Sequence, residues 1–248
     1  MHCKKAYKNA IIPNSMENLN VSLIIPSYNE EKRILSTIRS YISTLDRLNE
    51  KYEIIVSCNG CTDNTAQIVR NIKNPNIKVI ESKLSGKGVG VVNGFKIAKG
   101  KYIGFLDADN PFDLNTIMEL LKNNQSDGII ISKWLNKSFF KIKEPFLKKF
   151  LSRGWNLLSR ILLGLTYADT QAGAKFFKKE VIDSIDKSFI CKGFEFDVEL
   201  LYKIKKKGFK IKEVPMSLNE TEGTTFRIRY ILSMFNKLAK LWQIKHKK

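Results

Sequence analysis

The chain has 248 residues, which suits one large α/β domain, and 43% of them are hydrophobic, enough for a substantial core. An aromatic content of 10% argues against a disordered chain. Lys and Arg (43) outnumber Asp and Glu (24), so the net charge of +19 calls for an anionic partner: nucleic acid, phospholipid headgroups or a phosphorylated substrate. No apolar segment reaches the length of about 18 residues that crosses a bilayer, and we expect no signal peptide.

Strands and helices alternate through the first half of the chain. Strands are predicted at Val21–Pro26, Glu53–Val56, Ile77–Ile80, Tyr102–Leu106 and Asp127–Ile131. Apolar periodicity, caps and glycine stops predict helices at Ile34–Leu48, from Thr62 or Asp63 to about Lys73, Gly88–Lys99 and Leu114–Lys122. This alternation predicts an α/β fold with a doubly wound, mostly parallel sheet and flanking helices.

The second half has a different pattern. Residues 146–165 and 228–248 predict amphipathic helices in which Lys and Arg interleave with apolar residues, and short strands plus a helix near Asp197–Lys207 lie between them. Such helices suit a membrane interface or the protein's own core. Both remain open for 146–165, and the interface is favoured for 228–248. With no internal repeat, we expect an arm at 1–19, one domain at 20–225 and a basic C-terminal helix at 226–248.

Two carboxylates follow the fourth predicted strand, in Leu106-Asp107-Ala108-Asp109. Ligands of open α/β sheets bind at the carboxyl ends of the strands. Carboxylates spaced i, i+2 can share one hard divalent cation, Mg²⁺ or Mn²⁺, whose other positions a diphosphate would fill. Asp107 and Asp109 are therefore the candidate metal ligands, with an acidic cap of the following turn as the alternative.

Polar motifs follow the other strands in turn. They are Pro26-Ser27-Tyr28-Asn29-Glu30, Cys58-Asn59-Gly60-Cys61-Thr62-Asp63-Asn64-Thr65 and Gly86-Lys87-Gly88. Cys58 and Cys61 form a C-x-x-C pair, but the histidines that zinc would need, His2 and His246, lie near the ends of the chain. Free thiols in a reducing compartment are expected, with a metal or redox role as the alternative.

This order of motifs resembles the nucleotide-sugar half of a family 2 glycosyltransferase with the GT-A (Rossmann-like) fold. The segments 169–175 (Asp-Thr-Gln-Ala-Gly-Ala-Lys), 194–202, 213–215 and 221–223 resemble the dolichyl-phosphate hexosyltransferases, most closely the glucosyltransferase branch. The resemblance covers roughly residues 20–235. It implies an inverting transfer of a hexose, glucose from UDP-glucose or mannose from GDP-mannose, to dolichyl or polyprenyl phosphate.

The donor nucleotide sugar would lie along the strand ends. An apolar slot edged by hydrogen-bonding groups suits a base, and the resemblance assigns the donor site to Pro26, Tyr28, Glu30, Asn59, Asp63, Lys87, Asp107, Ala108 and Asp109. Ser27–Glu30 and Asp63 could instead cap helices. Where the family commonly has an acidic pair, this chain has Cys58 and Asn59, and an amide prefers different hydrogen-bond partners. Lys87 between two glycines can approach a phosphate closely.

The acceptor side needs cations and an apolar channel. A hydroxyl acceptor requires a general base, whereas a phosphomonoester, with a second pKa of about 6, is already mostly a dianion at pH 7. Candidate phosphate-binding cations are Arg153, Arg160, Lys175, Arg227 and Arg229. The resemblance places Asp169, Gln171, Lys175 and Asp197 beside Asp109 at the catalytic centre.

The predicted protein is a metal-dependent glycosyltransferase, peripheral on the cytoplasmic face of a membrane and without a transmembrane segment. Another acceptor is one alternative. A nucleotidyltransferase, which also uses an α/β sheet with carboxylates and a metal ion, is a more distant one. The two reactions differ in their products, because a nucleotidyltransferase would release pyrophosphate and a glycosyltransferase a nucleoside diphosphate. A nucleic-acid partner would explain the charge, but no basic–aromatic recognition motif accompanies it and an acidic site is unexpected there.

Overall fold

The computed structural model describes residues 20–108, 113–123, 125–135, 146–215 and 230–246, so the predicted arm at 1–19 lies outside the described residues. The described strands are β1 (Val21–Ser27), β2 (Tyr52–Asn59), β3 (Ile77–Ser82), β4 (Tyr102–Leu106), β5 (Gly128–Ser132), β6 (Ala174–Lys178) and β7 (Ile211–Pro215). The described helices are α1 (Ile34–Arg47), α2 (Thr65–Arg70), α3 (Lys87–Phe95), α4 (Leu114–Lys122), α5 (Phe146–Leu163), α6 (Lys179–Ser184), α7 (Phe196–Lys206) and α8 (Tyr230–His246).

The described strands form one sheet in the order β3-β2-β1-β4-β6-β5-β7. All neighbouring pairs are parallel except those of β6, which runs antiparallel to β4 and β5. The α/β class and the mostly parallel sheet are thereby confirmed. The reversed strand brings Ala174 opposite both Leu106 and Ile131. The segment before β6 therefore reaches the edge at which β1, β2, β4 and β5 end.

Alternation along each central strand divides the core between the two faces of the sheet. Ile54, Val56 and Cys58 of β2 pack with α1, α2 and α4, whereas Ile55 packs with α3 and α7. β2 is buried along its whole length and extends three residues beyond the predicted Val56. The polar residues there stay in the strand because they pair with β1 and β3.

Helix α3 lies unusually close to the sheet because it is rich in glycine. A Cβ at Gly90 would lie 2.3 Å from Asn59 Nδ2, and one at Gly94 would lie 2.6 Å from Ile24 Cγ2. The helix ends at Phe95 rather than at the predicted Lys99. Helix α2 is also shorter than predicted, and the short α6 was not predicted.

Helices α5 and α8 pack against each other on one side of the sheet. Met234, Leu238 and Leu241 of α8 are buried in the core, and the rings of Trp155 and Phe235 meet edge to face at 5.8 Å. Their outer faces expose large apolar side chains by 41–71%: Phe146, Leu147, Phe150, Leu157, Ile161, Trp242 and Ile244. One face of each helix thus belongs to the core. Among the described residues, no helix combines the length and the apolar character needed to cross a membrane.

Candidate active site

The candidate site lies at the edge of the sheet where β4 ends and β6 begins. The Asp107 amide donates to Gly173 O over 3.2 Å, which joins the end of β4 to the segment 169–173. Two sequence motifs more than sixty residues apart therefore become one site. The antiparallel direction of β6 produces this contact, because a parallel strand would begin at the opposite edge.

Four alternating charges form an ionic chain beneath this edge. Lys175 Nζ lies 2.6 Å from Asp197 Oδ1, and Lys87 Nζ lies 3.4 Å from Asp197 Oδ2 and 3.0 Å from Asp107 Oδ1. Exposure rises along the chain, from Lys175 (0%) through Asp197 (1%) and Lys87 (10%) to Asp107 (39%). The predicted residues Lys87, Asp107, Lys175 and Asp197 are thus brought together, with Asp107 at the open end.

The two lysines of the ionic chain respond differently to burial. Burial acts to lower the pKa of Lys87, but the charges of Asp107 and Asp197 outweigh it and hold that pKa above its ordinary value. Burial lowers the pKa of Lys175, and the charge of Asp197 offsets this only in part. Lys87 is therefore the firmly charged cation at this edge.

Lys175 is not placed as a phosphate-binding cation. Its side chain is fully buried, and its ammonium donates to Ala172 O and Asp197 Oδ1, both over 2.6 Å. The side chain points beneath the sheet edge because Lys175 lies within β6, opposite Phe105 of β4. The prediction of a direct contact with lipid phosphate is corrected: Lys175 supports Asp197 from below.

Asp169 is buried at the start of the segment 169–173. Glu213 accepts hydrogen bonds from the amides of Ala168 and Asp169, each over 2.8 Å, and so holds the segment in place. Burial raises the pKa of Asp169, against the lowering charges of Lys133 and Lys175. Gln171 Nε2 donates to Phe194 O over 3.1 Å, which ties this segment to the one that precedes α7.

A cavity of about 190 Å³ opens above these groups. Its floor is polar and its wall, formed by α5, α8 and Phe194, is apolar. The lining residues are Lys87, Asp107, Lys133, Leu151, Ser152, Trp155, Asp169, Gln171, Phe194, Asp197, Met234 and Phe235. Sequence reasoning missed Lys133, Trp155 and Phe194. Lys133 carried a usable signal, since it directly follows β5 at the same edge where Asp107 follows β4.

The predicted phosphate-binding arginines are only partly placed at the cavity. The Arg153 guanidinium lies 5.2 Å from the ring centre of Trp134, and the Lys133 ammonium lies 5.7 Å from that ring. Arg160 is exposed two turns further along α5, about 10 Å away. Neither arginine lines the cavity. Arg227 and Arg229 lie outside the described residues.

The predicted nucleoside edge consists of two loops joined by hydrogen bonds. Asn29 Oδ1 accepts from the Thr62 amide over 2.8 Å, and the Glu30 amide donates to Thr65 Oγ1 over 2.8 Å. Asn29 adopts a positive φ of 55°, which an asparagine tolerates. The contacts join residues more than thirty positions apart, so no sequence period reveals them.

Several predicted donor residues line this edge. Tyr28 is 51% exposed beside Pro26, the Glu30 carboxylate pairs with Arg33, and Ala108 O accepts from Thr37 Oγ1 over 2.8 Å. Asp63 accepts from the Thr65 amide at the start of α2. The N-cap of α2 is Asn64, so Asp63 holds the turn just before the helix rather than capping it. Burial acts to raise the pKa of Asp63, but the hydrogen bonds, from Thr65 above all, lower it overall.

Asn59 departs from its predicted role. It is 2% exposed, accepts from Ser57 Oγ over 3.0 Å and faces Gly90 of α3. Strand alternation turns Cys58 towards α1 and α2 and Asn59 towards α3. The Asn59 amide is consequently packed under the helix and does not face the nucleoside edge.

The predicted metal site is described only in part. Asp107 offers carboxylate oxygen at the cavity, and Asp109 lies outside the described residues. Within the part of the chain that the structure describes, no cluster of three Cys, His, Asp or Glu side chains could hold a metal ion. The oxygen donor at Asp107 still suits a hard divalent cation whose remaining ligands come from a substrate.

The chain is similar in sequence to known glycosyltransferases. The glycosyl transferase family 2 profile matches residues 22–186. The dolichyl-phosphate beta-glucosyltransferase of Dictyostelium discoideum is 32% identical over 228 residues, covering 85% of this chain and 70% of that protein. The Saccharomyces cerevisiae dolichyl-phosphate beta-glucosyltransferase is 31% identical over 231 residues, covering 84% and 69%.

Among solved structures, glucosyl-3-phosphoglycerate synthase from Mycobacterium tuberculosis, in complex with Mn²⁺, UDP and phosphoglyceric acid, has the same fold. It superposes with a TM-score of 0.64 at 18% identity, covering 89% of this chain and 76% of that one. The sheet, its reversed strand and the charged edge define a GT-A glycosyltransferase. The chain belongs to glycosyltransferase family 2.

Proposed function

We propose that this enzyme transfers glucose from UDP-glucose to dolichyl or polyprenyl phosphate at a membrane surface. The observation that carries the proposal is the cavity, in which a charged floor meets an apolar wall. A lipid phosphate presents the same two chemistries in one molecule. The dolichyl-phosphate beta-glucosyltransferases that cover most of this chain support the same substrate.

The donor diphosphate would lie between Lys87 and Asp107. Lys87 offers a cation that its carboxylate partners keep protonated. Asp107 and Asp109 would hold Mg²⁺ or Mn²⁺, which supplies charge stabilisation to the leaving nucleoside diphosphate. In this arrangement Lys87 exchanges Asp107 for a phosphate oxygen, and the ionic chain keeps the ammonium at the cavity floor.

The acceptor phosphate would bind near Lys133, which lines the cavity, and Arg153 would add positive charge from outside the lining, beside Trp134. A phosphate dianion attacks without a general base, so no side chain has to remove a proton from it. Asp197 is poorly suited to proton transfer, since both its oxygens accept from lysines. Attack opposite the departing diphosphate would invert the sugar in a single displacement.

A hydroxyl acceptor is the second candidate, and one observation favours it. Asp169 lines the cavity, and burial raises the pKa of its carboxyl group. A carboxylate with a raised pKa is a better general base. The two acceptors therefore predict different roles for Asp169: positioning for a phosphate, proton removal for a hydroxyl.

Membrane contact would come from the outer faces of α5 and α8. Exposed apolar side chains such as Phe150 and Trp242 alternate there with Arg153, Arg160 and Lys240. Each basic residue near an anionic lipid surface contributes about 1 kcal/mol. We place the enzyme on the cytoplasmic face, where the nucleotide sugar would reach it.

The decisive experiment incubates the enzyme with radiolabelled UDP-glucose, GDP-mannose or UDP-N-acetylglucosamine and either dolichyl phosphate or dolichol. Labelled lipid from UDP-glucose and dolichyl phosphate alone is the expected result, with UDP as the second product. Label on dolichol would favour the hydroxyl acceptor, and release of pyrophosphate would indicate a nucleotidyltransferase. The Asp107→Asn variant serves as the control, since it should fold and lose turnover.

A further inference from the structure

The cysteine pair at the end of β2 is not used by the proposed reaction. Cys58 is buried in β2, and Cys61 is partly exposed just beyond it. Gly60 adopts a φ of 71° between them, in the left-handed region that glycine allows. Cys61 packs against the core cluster that contains Cys58, and Cys61 Sγ donates to Ser27 O over 3.4 Å.

The two thiols differ in a way that suits stepwise exchange. The hydrogen bond from Cys58 lowers the pKa of Cys61 to about 7, whereas the same bond and burial raise the pKa of Cys58. Cys61 is thus the more accessible and more readily ionised thiol, and Cys58 is the protected thiol behind it. This division into an attacking and a resolving thiol is what C-x-x-C exchange requires.

We infer that Cys58 and Cys61 form a reversible dithiol–disulfide site that controls the edge assigned to the donor nucleoside. A small disulfide of the glutathione class is the oxidant. The Cys61 thiolate attacks one of its sulfurs and releases one thiolate, which takes the proton of Cys58. The Cys58 thiolate then attacks the Cys61 sulfur and releases the second small thiolate, which takes up from solvent the proton that Cys61 lost, so two protein thiols are oxidised and one disulfide is reduced to two thiols.

The consequence for the donor rests on the proposed function. Oxidation removes the S–H group that donates to Ser27 O, and it ties Cys61 to β2. The neighbouring residue Thr62 holds Asn29 of the facing loop. Both loops at the nucleoside edge are therefore affected. We expect oxidation to weaken UDP binding about fivefold, the change that follows from loss of one hydrogen bond.

The test uses the full chain with Cys3 replaced by Ser, equilibrated in buffers with varied ratios of reduced to oxidised glutathione. Intact-mass spectrometry should show loss of two hydrogens, and peptide mapping should place the bond between Cys58 and Cys61. The Cys58→Ser variant should retain one glutathione on Cys61, because no resolving thiol remains. The Cys61→Ser variant should not react, and the Cys191→Ala variant, which removes a buried thiol, should behave as the parent.

Calorimetric titration with UDP then compares the reduced and oxidised forms in the presence of Mn²⁺. Weaker binding to the oxidised form, restored by a thiol reductant, supports the inference. It is overturned if no Cys58–Cys61 bond forms at any ratio, or if the bond forms and the affinity for UDP is unchanged. If the bond forms and neither state binds UDP, the proposed donor is wrong and the control of UDP binding falls with it, while the dithiol chemistry itself stands.

Discussion

Lys87→Met tests the ionic chain at the cavity floor. Lys87 lies 3.0 Å from Asp107 and 3.4 Å from Asp197, and it neutralises the carboxylate that would hold the metal ion. Methionine keeps an unbranched chain of similar length and removes the charge. Asp107 then remains an unpaired anion at the open end of the chain. Free Mn²⁺ should bind more tightly to this variant, whereas UDP should bind more weakly.

The size of the effect follows from the Lys87–Asp107 distance. Because Asp107 is 39% exposed, we use the dielectric constant of water, which gives a lower limit for the interaction energy between Lys87 and Asp107. Unit charges 3.0 Å apart then interact by about 1.4 kcal/mol, or about tenfold in a binding constant. We therefore expect the Lys87→Met variant to bind free Mn²⁺ about tenfold more tightly and UDP at least about tenfold more weakly.

Calorimetric titrations of Mn²⁺ without nucleotide, and of UDP with saturating Mn²⁺, measure the two effects separately. Lys83→Met is the matched control, since it removes the same charge from an exposed position four residues earlier. Unchanged or weaker binding of free Mn²⁺ to Lys87→Met would refute the reasoning. It would mean that Lys87 does not compete with the metal for Asp107.

Three further predictions concern stability and lipid contact. Burial raises the folded-state pKa of Asp169, so wild-type stability falls as pH rises from the unfolded pKa of about 4 through that raised pKa. Asp169→Asn should lose turnover, and its melting temperature should rise relative to that of wild type across the same pH window. Melting temperatures of variant and wild type that change in parallel with pH would contradict this. Gly104→Ala should cost about 1–3 kcal/mol in urea unfolding because its Cβ would lie 2.1 Å from Phe176 Cδ1, whereas Gly154→Ala meets nothing within 4 Å and should not destabilise. Leu157→Ser should lower binding to anionic vesicles about tenfold in sedimentation with unchanged stability, and unchanged binding would exclude the outer face of α5 from lipid contact.

Much of the fold could be predicted from the sequence because local patterns determine it. Helix α4 and strand β4 occur at the predicted bounds, and α1 differs by one residue at its end. Strand β2 was predicted too short, because Ser57, Cys58 and Asn59 are polar or small and their pairing with two neighbouring strands is not visible locally. Pairing partners, rather than composition, decide where such a strand ends.

The candidate site was predictable where a residue directly follows a strand. Asp107 fits that pattern. Lys87 lies in the motif after β3, at the first position of α3, and both residues lie at the cavity. Lys175 does not fit it, since it lies inside β6 and is buried. Asn59 was assigned by analogy with an acidic pair, and the packing of α3 on β2 overrides that assignment.

The sequence by itself determined the class of the protein: alternating strands and helices, polar motifs at successive strand ends, and a strongly basic surface. The tertiary structure decided which of those groups meet. The reversed strand β6 carries the segment 169–173 to the end of β4, and α5 and α8 form the apolar wall of the cavity above this junction. The physical reason is that strand direction and helix packing depend on partners far away in the chain, whereas apolar periodicity and strand-end motifs are local.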